Sequence, residues 1–357
     1  MIITIDGPAG SGKSSIAREV AHILHIPILD TGALYRAFAY ALFFHKIDIH
    51  NEQQIERFLQ EHPLSIREET DGLHYYVAHL DTTPFLREQE IGELSSIIST
   101  YHTVRKQLLP VQREYAKKGD LICEGRDMGS TVFPEADVKI FITARPEIRA
   151  LRRQAETQNI HRSLQEIEDE IRTRDQRDRS RTLSPLIQPA DASVLDTSDL
   201  SIHQVVEKIL FLIKQTQPDT AASWEHFAHQ ADIGIRGRGR TPAQAFEQAA
   251  IGLMAIMSDP KTIRPLRCFS LECRSTSLEL LFLEWLNQVI YEVETKHMLF
   301  RYFRITMTES TLYADLWGEP IDLKKHQPKT APKAATYHKL SVEQTQGRWY
   351  AQAVIDV

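Results

Sequence analysis

"GPAGSGKS", Gly7 to Ser14, is the stretch that decides the fold. It matches GxxxxGK[ST], directly behind the apolar run "IITID" and directly ahead of a helical pattern, the context this motif requires. Glycines there let backbone N–H groups turn inward and approach phosphate oxygens. The helix N-terminus adds partial positive charge. Gly7, Pro8, Ala9, Gly10, Ser11, Gly12, Lys13, Ser14 and Ser15 are therefore expected to cradle the phosphates of ATP or GTP. Lys13 brings a full charge to the transferring phosphoryl group, and Ser14 offers a hydroxyl to Mg²⁺.

Around the loop, "IPILD", "DLICEG", "DVKIFIT" and "ASVLDTS" are further runs of strand length, separated by helical patterns. In Ser14–Leu24, for example, Ile16, Ala17, Val20, Ile23 and Leu24 share one face. The alternation predicts an α/β fold: a parallel sheet with helices on both faces. Residues 63–90 break the pattern and read as a small antiparallel insertion with a turn at Asp71-Gly72. "KQTQPDTAAS", 214–223, is polar, non-periodic and contains Pro218, which marks a linker at 216–222. Behind it, "ADIGIRG" reads as a strand. Thr241-Pro242-Ala243-Gln244 reads as a capping box, and Ala243, Phe246, Ala250, Leu253 and Met257 share a helix face. A second helix follows near 277–292, then "KAATYHKLSVEQ" and "RWYAQAVIDV" as strands. The order strand, helix, helix, strands predicts a separate α+β domain over 223–357.

Composition narrows the classes. The chain has 357 residues, 42% apolar and 25% charged, with a net charge of −6, so it is not a basic nucleic-acid binder as a whole. Three cysteines with no CxxC pair, and no basic segment ahead of the first strand, point to reduced thiols in a cytoplasm. "LELLFLEWLNQVIY" is interrupted by Glu279, Glu284 and Asn287 and reads as a buried amphipathic helix rather than a membrane span.

A phosphate loop does not name a reaction. The acceptor side adds Asp30, Thr31, Tyr35 and Arg36 in "LDTGALYR", and Arg126 and Asp127 in "EGRDMGS", both at strand ends where ligands of open α/β sheets collect. "RDQRDRSR" places Arg174, Arg177, Asp178 and Arg181 at helical spacing. One reading is a solvated helix with Arg174–Asp178 and Asp175–Arg179 pairs. The other is a guanidinium cluster that clamps phosphates. No Ser/His/Asp or Cys/His set is evident. A monophosphate acceptor is already anionic and needs no general base.

With these motifs in view, "TIDGPAGSGKSS", "LDTGALYR", "EGRDMGSTVFPEADVKIFITA" and "RDQRDRSRTLSPLIQPADASVLDTS" resemble bacterial cytidylate kinase over about 1–215. The resemblance implies a nucleoside-monophosphate-kinase fold. It implies phosphorylation of CMP or dCMP by ATP with Mg²⁺, a monophosphate-binding insertion at 63–90 and an Arg-rich lid at about 155–181. It assigns catalysis to Lys13, Arg126, Arg174 and Arg181. It lines the CMP site with Asp30, Thr31, Tyr35, Arg36, Ser96, Arg105, Arg126, Asp127 and Asp178. Thr31 stands where the family has serine and keeps the hydroxyl. An acid such as Asp127 can accept from the amine of cytosine.

"HFAHQADIGIRGRGRT", "LLFLEWLNQVIYE", "WGEPID", "PKAATYHKL" and "RWYAQAVIDV" resemble archease, in order, over about 222–357. That resemblance implies a non-enzymatic accessory of an RtcB-type RNA ligase acting on tRNA. It also implies a Ca²⁺ or other divalent-cation site at Asp232 and Asp356, and a functional Lys333. The Val357 carboxylate would add a third hard oxygen group. On spacing alone, Asp232 is equally a turn or cap residue and Lys333 a surface lysine. His226 and His229 fall on opposite faces of a strand and read as structural. Arg236, Arg238 and Arg240 read as a solvated basic turn, with RNA or ligase contact the alternative. The remaining alternative for the whole chain is a kinase of another nucleoside monophosphate with a structural or oligomerising C-terminal module. Oligomeric state and membrane contact have no signal in the sequence.

Overall fold

The computed structural model describes residues 1–70, 72–157, 162–216, 222–229, 232–308 and 310–357. The expected 216–222 linker and the Asp71 half of the expected turn fall largely outside them. The chain forms two compact units, Met1–Thr216 and Gln217–Val357.

The first unit contains β1 (Ile2–Asp6), α1 (Lys13–Leu24), β2 (Ile28–Asp30), α2 (Thr31–Phe44), α3 (Glu52–Glu61), β3 (Leu64–Glu69), β4 (Gly72–Val77), β5 (Leu80–Asp81), α4 (Gln89–Ile98), α5 (His102–Ala116), β6 (Leu121–Gly125), β7 (Val138–Thr143), α6 (Pro146–Thr157), α7 (Leu164–Ser180), β8 (Ser193–Asp196) and α8 (Ile202–Lys214). Five strands run parallel in the order β8-β7-β1-β6-β2. Leu121 and Cys123 join the core beneath α2 to α5, whereas Ile3, Ile5 and Ile122 alternate with that set and are equally buried. Both sheet faces are therefore covered by apolar packing. The insertion is antiparallel, β3-β4-β5, as its sequence predicts. One helix face differs: Ile23 is 44% exposed, and Ala21 takes its place in the buried stripe of α1.

The second unit contains β9 (Ser223–His229), β10 (Asp232–Gly239), α9 (Pro242–Met257), β11 (Arg267–Arg274), α10 (Leu278–Lys296), β12 (Met298–Met307), β13 (Thr311–Pro320), α11 (Leu323–His326), β14 (Ala334–Thr345) and β15 (Arg348–Asp356). One antiparallel group runs β12-β13-β11 and another runs β14-β15-β10-β9. Three of these strands, β11, β12 and β13, are additional to the strand, helix, helix, strands order. One apolar core joins α9 and α10 to both groups. Among the described residues no helix is long and apolar enough to cross a membrane, and the three cysteines are free.

The α9 cap departs from a reciprocal box. Thr241 accepts from the Gln244 N–H, but the Gln244 side chain accepts from Arg240 N at 2.8 Å, one residue upstream of the cap. Arg236 and Arg238 lie inside β10 rather than in a turn. Gly237 is where β10 meets α9: a Cβ there would stand 2.0 Å from the backbone oxygen of Ala245 and 2.5 Å from the nitrogen of Ala249. Both obstacles are main chain, so neither gives way easily. All four tryptophans, at 224, 285, 317 and 349, belong to this unit, so their fluorescence reports its unfolding. Gly237→Ala is expected to lower its stability by about 3 kcal/mol. A tryptophan-monitored urea midpoint equal to wild type would refute the close approach.

Candidate active site and C-terminal cluster

The phosphate loop links β1 to α1. Gly10 and Gly12 take left-handed φ values of 70° and 89°, and a Cβ at Gly7 would meet the Ile142 oxygen at 2.0 Å. Lys13 Nζ donates to Pro8 O at 2.7 Å, and Ser11 Oγ donates to the same oxygen at 3.0 Å. The Ala9 N–H donates to Asp175 Oδ1 at 3.1 Å, and Ala9 O accepts from Arg149 at 3.1 Å. Arg149 and Asp175 also pair with each other and are both about nine-tenths or more buried. This corrects the Asp175–Arg179 surface pair: Asp175 turns inward and anchors the loop. It also removes Ala9 from the amides free to meet phosphate, and Pro8 has no N–H to offer.

Ser14 Oγ donates to Glu124 Oε2 at 2.8 Å, and Thr31 Oγ1 donates to Glu124 O at 2.7 Å. Glu124 is a site residue the motif reading missed. Its signal was the lone acid inside the apolar strand "LICEG". Burial, then the Asp30 carboxylate nearby, pushes its carboxyl up. Burial, then Arg126, pulls the Lys13 ammonium down. Phosphate oxygens arriving at the loop oppose both effects on Lys13.

The acceptor side is a cleft of about 940 Å³ bordered by the loop and by α2, α4 and α7. Asp30 accepts from Ala33 N, capping α2, and pairs with Arg36 at 2.8 Å. Arg105 pairs with Asp127 at 2.8 Å and lies 5.5 Å from the Tyr35 ring centroid. Burial first, then Asp127, pushes the Tyr35 hydroxyl up to about 12 against the opposing pull of Arg105. Arg181 stands 3.5 Å from Asp127 and 3.6 Å from Asp178. Arg126 holds Asp178 at 3.0 Å. Burial works to raise Asp178, but Arg126, Arg181 and Arg174 outweigh it and hold the carboxyl below its usual range. In place of the expected Arg174–Asp178 pair, Asp178 is held by Arg126 from the far end of β6 and by Arg181 at the end of α7. Arg177 donates to Ser96 Oγ at 3.0 Å, fixing α7 against α4. Arg174 is left with a buried Nε that has no hydrogen-bond partner. Burial, then Arg126, lowers it to about 10. A buried cation in this state calls for an anion.

In the second unit, Lys333 Nζ donates to the main-chain oxygen of Val357 at 2.9 Å and stands 3.9 Å from Asp356 Oδ1. Asp232 heads β10, and the Ile233–Ile355 register sets it beside the Asp356 end of β15. Lys333, Asp356 and Val357 come together, with a lysine ammonium where a cation was expected. Among the described residues no group of three or more His, Cys, Asp or Glu side chains is gathered as a metal would need. His226 bonds Gly252 O of α9 at 2.8 Å, and His229 packs on His338 at 4.5 Å between ring centroids, so the two point to opposite faces.

Residues 3–215 match the family model described as cytidylate kinase. The chain belongs to the cytidylate kinase family. The cytidylate kinases of Chlamydia muridarum and Protochlamydia amoebophila are 44% and 40% identical to it, over 60% and 59% of this chain and 98% and 95% of theirs. That of Shouchella clausii is 36% identical over 60% of this chain and 96% of its own length. Residues 224–357 match a second model, the archease protein family. The chain therefore carries an archease-family domain behind its cytidylate-kinase-family domain.

Asp6, at the end of β1, gives a testable pH dependence. It accepts from Met128 N at 2.9 Å and Gly129 N at 2.7 Å, fixing the turn that bears Arg126 and Asp127. Burial raises its pKa from 3.8 to about 6. The folded state therefore keeps a proton that the unfolded chain releases earlier. The stabilising share is complete below about pH 4 and is lost as pH rises through about 6, a change of up to about 3 kcal/mol. Hydrogen exchange of β1 amides should show that change in wild type and a flatter one in Asp6→Asn. Parallel profiles would show that Asp6 does not titrate in this window.

Proposed function

We propose that the first unit transfers the γ-phosphoryl group of ATP to CMP or dCMP. The observation that carries this is Arg174, whose buried Nε has no hydrogen-bond partner, on a cleft that the phosphate loop also borders. A phosphate oxygen of CMP attacks the γ-phosphorus. The bond to the β–γ bridging oxygen breaks, and ADP leaves with that electron pair. Lys13 and the loop hold the donor phosphates. Arg36, Arg126, Arg174 and Arg181 position the acceptor phosphate and take up charge as it spreads over the transferring group. Ser14 and Glu124 would hold Mg²⁺, which neutralises phosphate charge when bound. Asp127 accepts from the cytosine amine, with Arg105, Ser96 and Tyr35 shaping the base pocket and Asp178 meeting the ribose. The Arg-rich segment of about 155–181, of which residues 158–161 lie outside the described residues, serves as the lid. The two compact units support domain boundaries at 1–215, 216–222 and 223–357, and the free thiols fit a cytoplasmic protein.

Asp127→Ala should lower kcat/KM for CMP by roughly a hundredfold, because it removes a buried acceptor the base needs. Titration with a non-hydrolysable ATP analogue should change about twofold or less. Equal loss of both would sink the base-reading role. A panel of CMP, dCMP, UMP and AMP tests the substrate itself: UMP or AMP outrunning CMP would replace it.

We further propose that the second unit is a non-enzymatic accessory that promotes activation and turnover of an RtcB-type RNA ligase in tRNA processing. The match to the archease family and the convergence of Lys333, Asp356 and Val357 support it. Asp232 and Asp356 would share a divalent cation with the ligase, Ca²⁺ among the candidates, with Lys333 yielding its place. Multiple-turnover ligation with GTP and divalent metal should accelerate when the chain is added. Asp356→Ala and Lys333→Ala should each remove the acceleration and leave CMP phosphorylation intact. Unchanged acceleration in both variants would leave this end as structure only.

A further inference from the structure

The two sides of β4 have different partners. His74 and Tyr76 share one side, where they bond Asp81 at 2.9 Å and Glu69 at 2.7 Å. Tyr75 and Val77 alternate with them and are buried. The main chain of Tyr75 is held at three points. Its N–H donates to Thr83 Oγ1 at 2.9 Å, and its carbonyl accepts from the Thr82 N–H at 2.9 Å and from the Thr82 hydroxyl at 2.7 Å. Its side chain joins the core that includes α2, and only 5% of the residue is exposed. The hydroxyl alone is uncommitted: among the described residues it has no hydrogen-bond partner, and Tyr75 lines the cleft that the phosphate loop also borders.

The surrounding charges locate that hydroxyl within the cleft. Those acting on it are Asp30, Arg36 and Glu124, whereas those acting on Tyr35 are Arg105, Asp127 and Arg181. The two tyrosines therefore serve different ends. Tyr35 stands by the Arg105–Asp127 pair. Tyr75 stands towards Arg36 and towards Glu124, which accepts from Ser14 of the phosphate loop at 2.8 Å. Burial first, then Asp30, raises the pKa of the Tyr75 hydroxyl, so it keeps its proton through the neutral range and is available as a donor.

We propose that Tyr75 is a further substrate-binding residue of the kinase, its hydroxyl donating to a non-attacking oxygen of the acceptor's phosphate beside Arg36. The inference rests on the kinase reading above. Arg36 is already engaged by Asp30 at 2.8 Å, and Asp30 and Glu124 both repel an arriving phosphate. An uncommitted neutral donor offsets that repulsion without adding a charge to the empty site, and a hydrogen bond to an anion is stronger than one to a neutral acceptor. Because the main chain and ring of Tyr75 are already fixed, little order is lost when the bond forms. The antiparallel insertion would thus touch the acceptor directly through β4.

The test compares the full chain with Tyr75→Phe, which removes the hydroxyl and keeps the ring. With ATP and Mg²⁺, KM should rise about tenfold for CMP and for dCMP alike, with kcat and the KM for ATP within about twofold of wild type. Hydrogen exchange of the β4 amides should stay as slow as in wild type, because the hydroxyl has no partner in the fold to lose. Unchanged KM for both acceptors would overturn the proposal. So would a loss confined to CMP, which would put the hydroxyl at the 2′-hydroxyl of the ribose, or a loss accompanied by faster β4 exchange, which would make its role structural. Calorimetric titration of CMP in the absence of ATP separates this from the kinase reading. A wild-type chain that binds CMP but transfers no phosphoryl group would overturn that reading alone, and binding about tenfold weaker in Tyr75→Phe would still support the contact. A wild-type chain that neither binds nor phosphorylates CMP would overturn both.

Discussion

The buried pair of Arg149 and Asp175 is the constraint on which the kinase site rests. Each partner has a second task at Ala9, one bonding its oxygen and the other its N–H. The phosphate loop is therefore tied to α6 and α7 rather than to its own strand and helix alone. Asp175 lies on the same helix as Arg174 and Asp178, and Arg181 caps its end, so the donor phosphates and two of the arginines that would meet the acceptor share one anchor. A buried pair of this kind adds little net stability against an apolar substitute, but removing one partner costs roughly 3–5 kcal/mol because the other charge is stranded. Its value here is registry. It fixes how far α7 stands from the loop.

With the loop fixed, the cleft becomes a problem of unequal charge. Asp30 answers Arg36, Asp127 answers Arg105, and Asp178 answers Arg126. Arg181 reaches Asp127 and Asp178 only at 3.5 and 3.6 Å, and Arg174 has no partner for its Nε. Too many guanidiniums for the carboxylates is a poor arrangement for an empty protein and a good one for phosphates. Burial first, then the nearby Arg126, depresses Lys13 and Arg174, and burial, then the Asp30 carboxylate, raises Glu124.

Much of this was legible in the sequence because local rules govern it. The glycines of 7–12, the β-branched strands and the acid and arginine at 126–127 each declare themselves within a few residues. What stayed hidden was long-range. The α7 run "RDQRDRSR" satisfies the i,i+4 pairing rule, yet the helix buries Asp175 and Asp178 and gives them Arg149 and Arg126, far away in the chain. Glu124 was not singled out, since nothing in its neighbourhood in the chain shows Ser14 across the crevice. In the second unit, β11, β12 and β13 escaped because "FSLECR" and "MLFRYFRITM" mix charge and apolar residues without clean alternation, while the tertiary core decides their pairing. The expected cation site came from the resemblance to archease and comprised Asp232, Asp356 and the Val357 carboxylate. Lys333, read only as a possible functional residue, turned out to supply the positive charge that stands beside Asp356.

The same contrast explains two glycines three positions apart. Gly237 faces inward, where α9 presses main chain against main chain and any side chain would collide. Gly234 faces outward, where the space a side chain would take is filled by the Phe227 ring. From sequence, "DIGIRGRG" offers no means of telling them apart. The register does tell them apart. Ile235 points into the core, but parity alone would put both even-numbered Gly234 and odd-numbered Gly237 on different faces only if β10 stays regular, and its uninterrupted pairing from Ile233 to Gly239 shows that it does. One glycine therefore serves the packing of α9, and the other allows an aromatic ring to lie flat on the open face. The first is a requirement of folding. The second lets the Phe227 ring lie across the sheet, with Arg236 and Lys339 at 5.3 and 5.9 Å from its centroid.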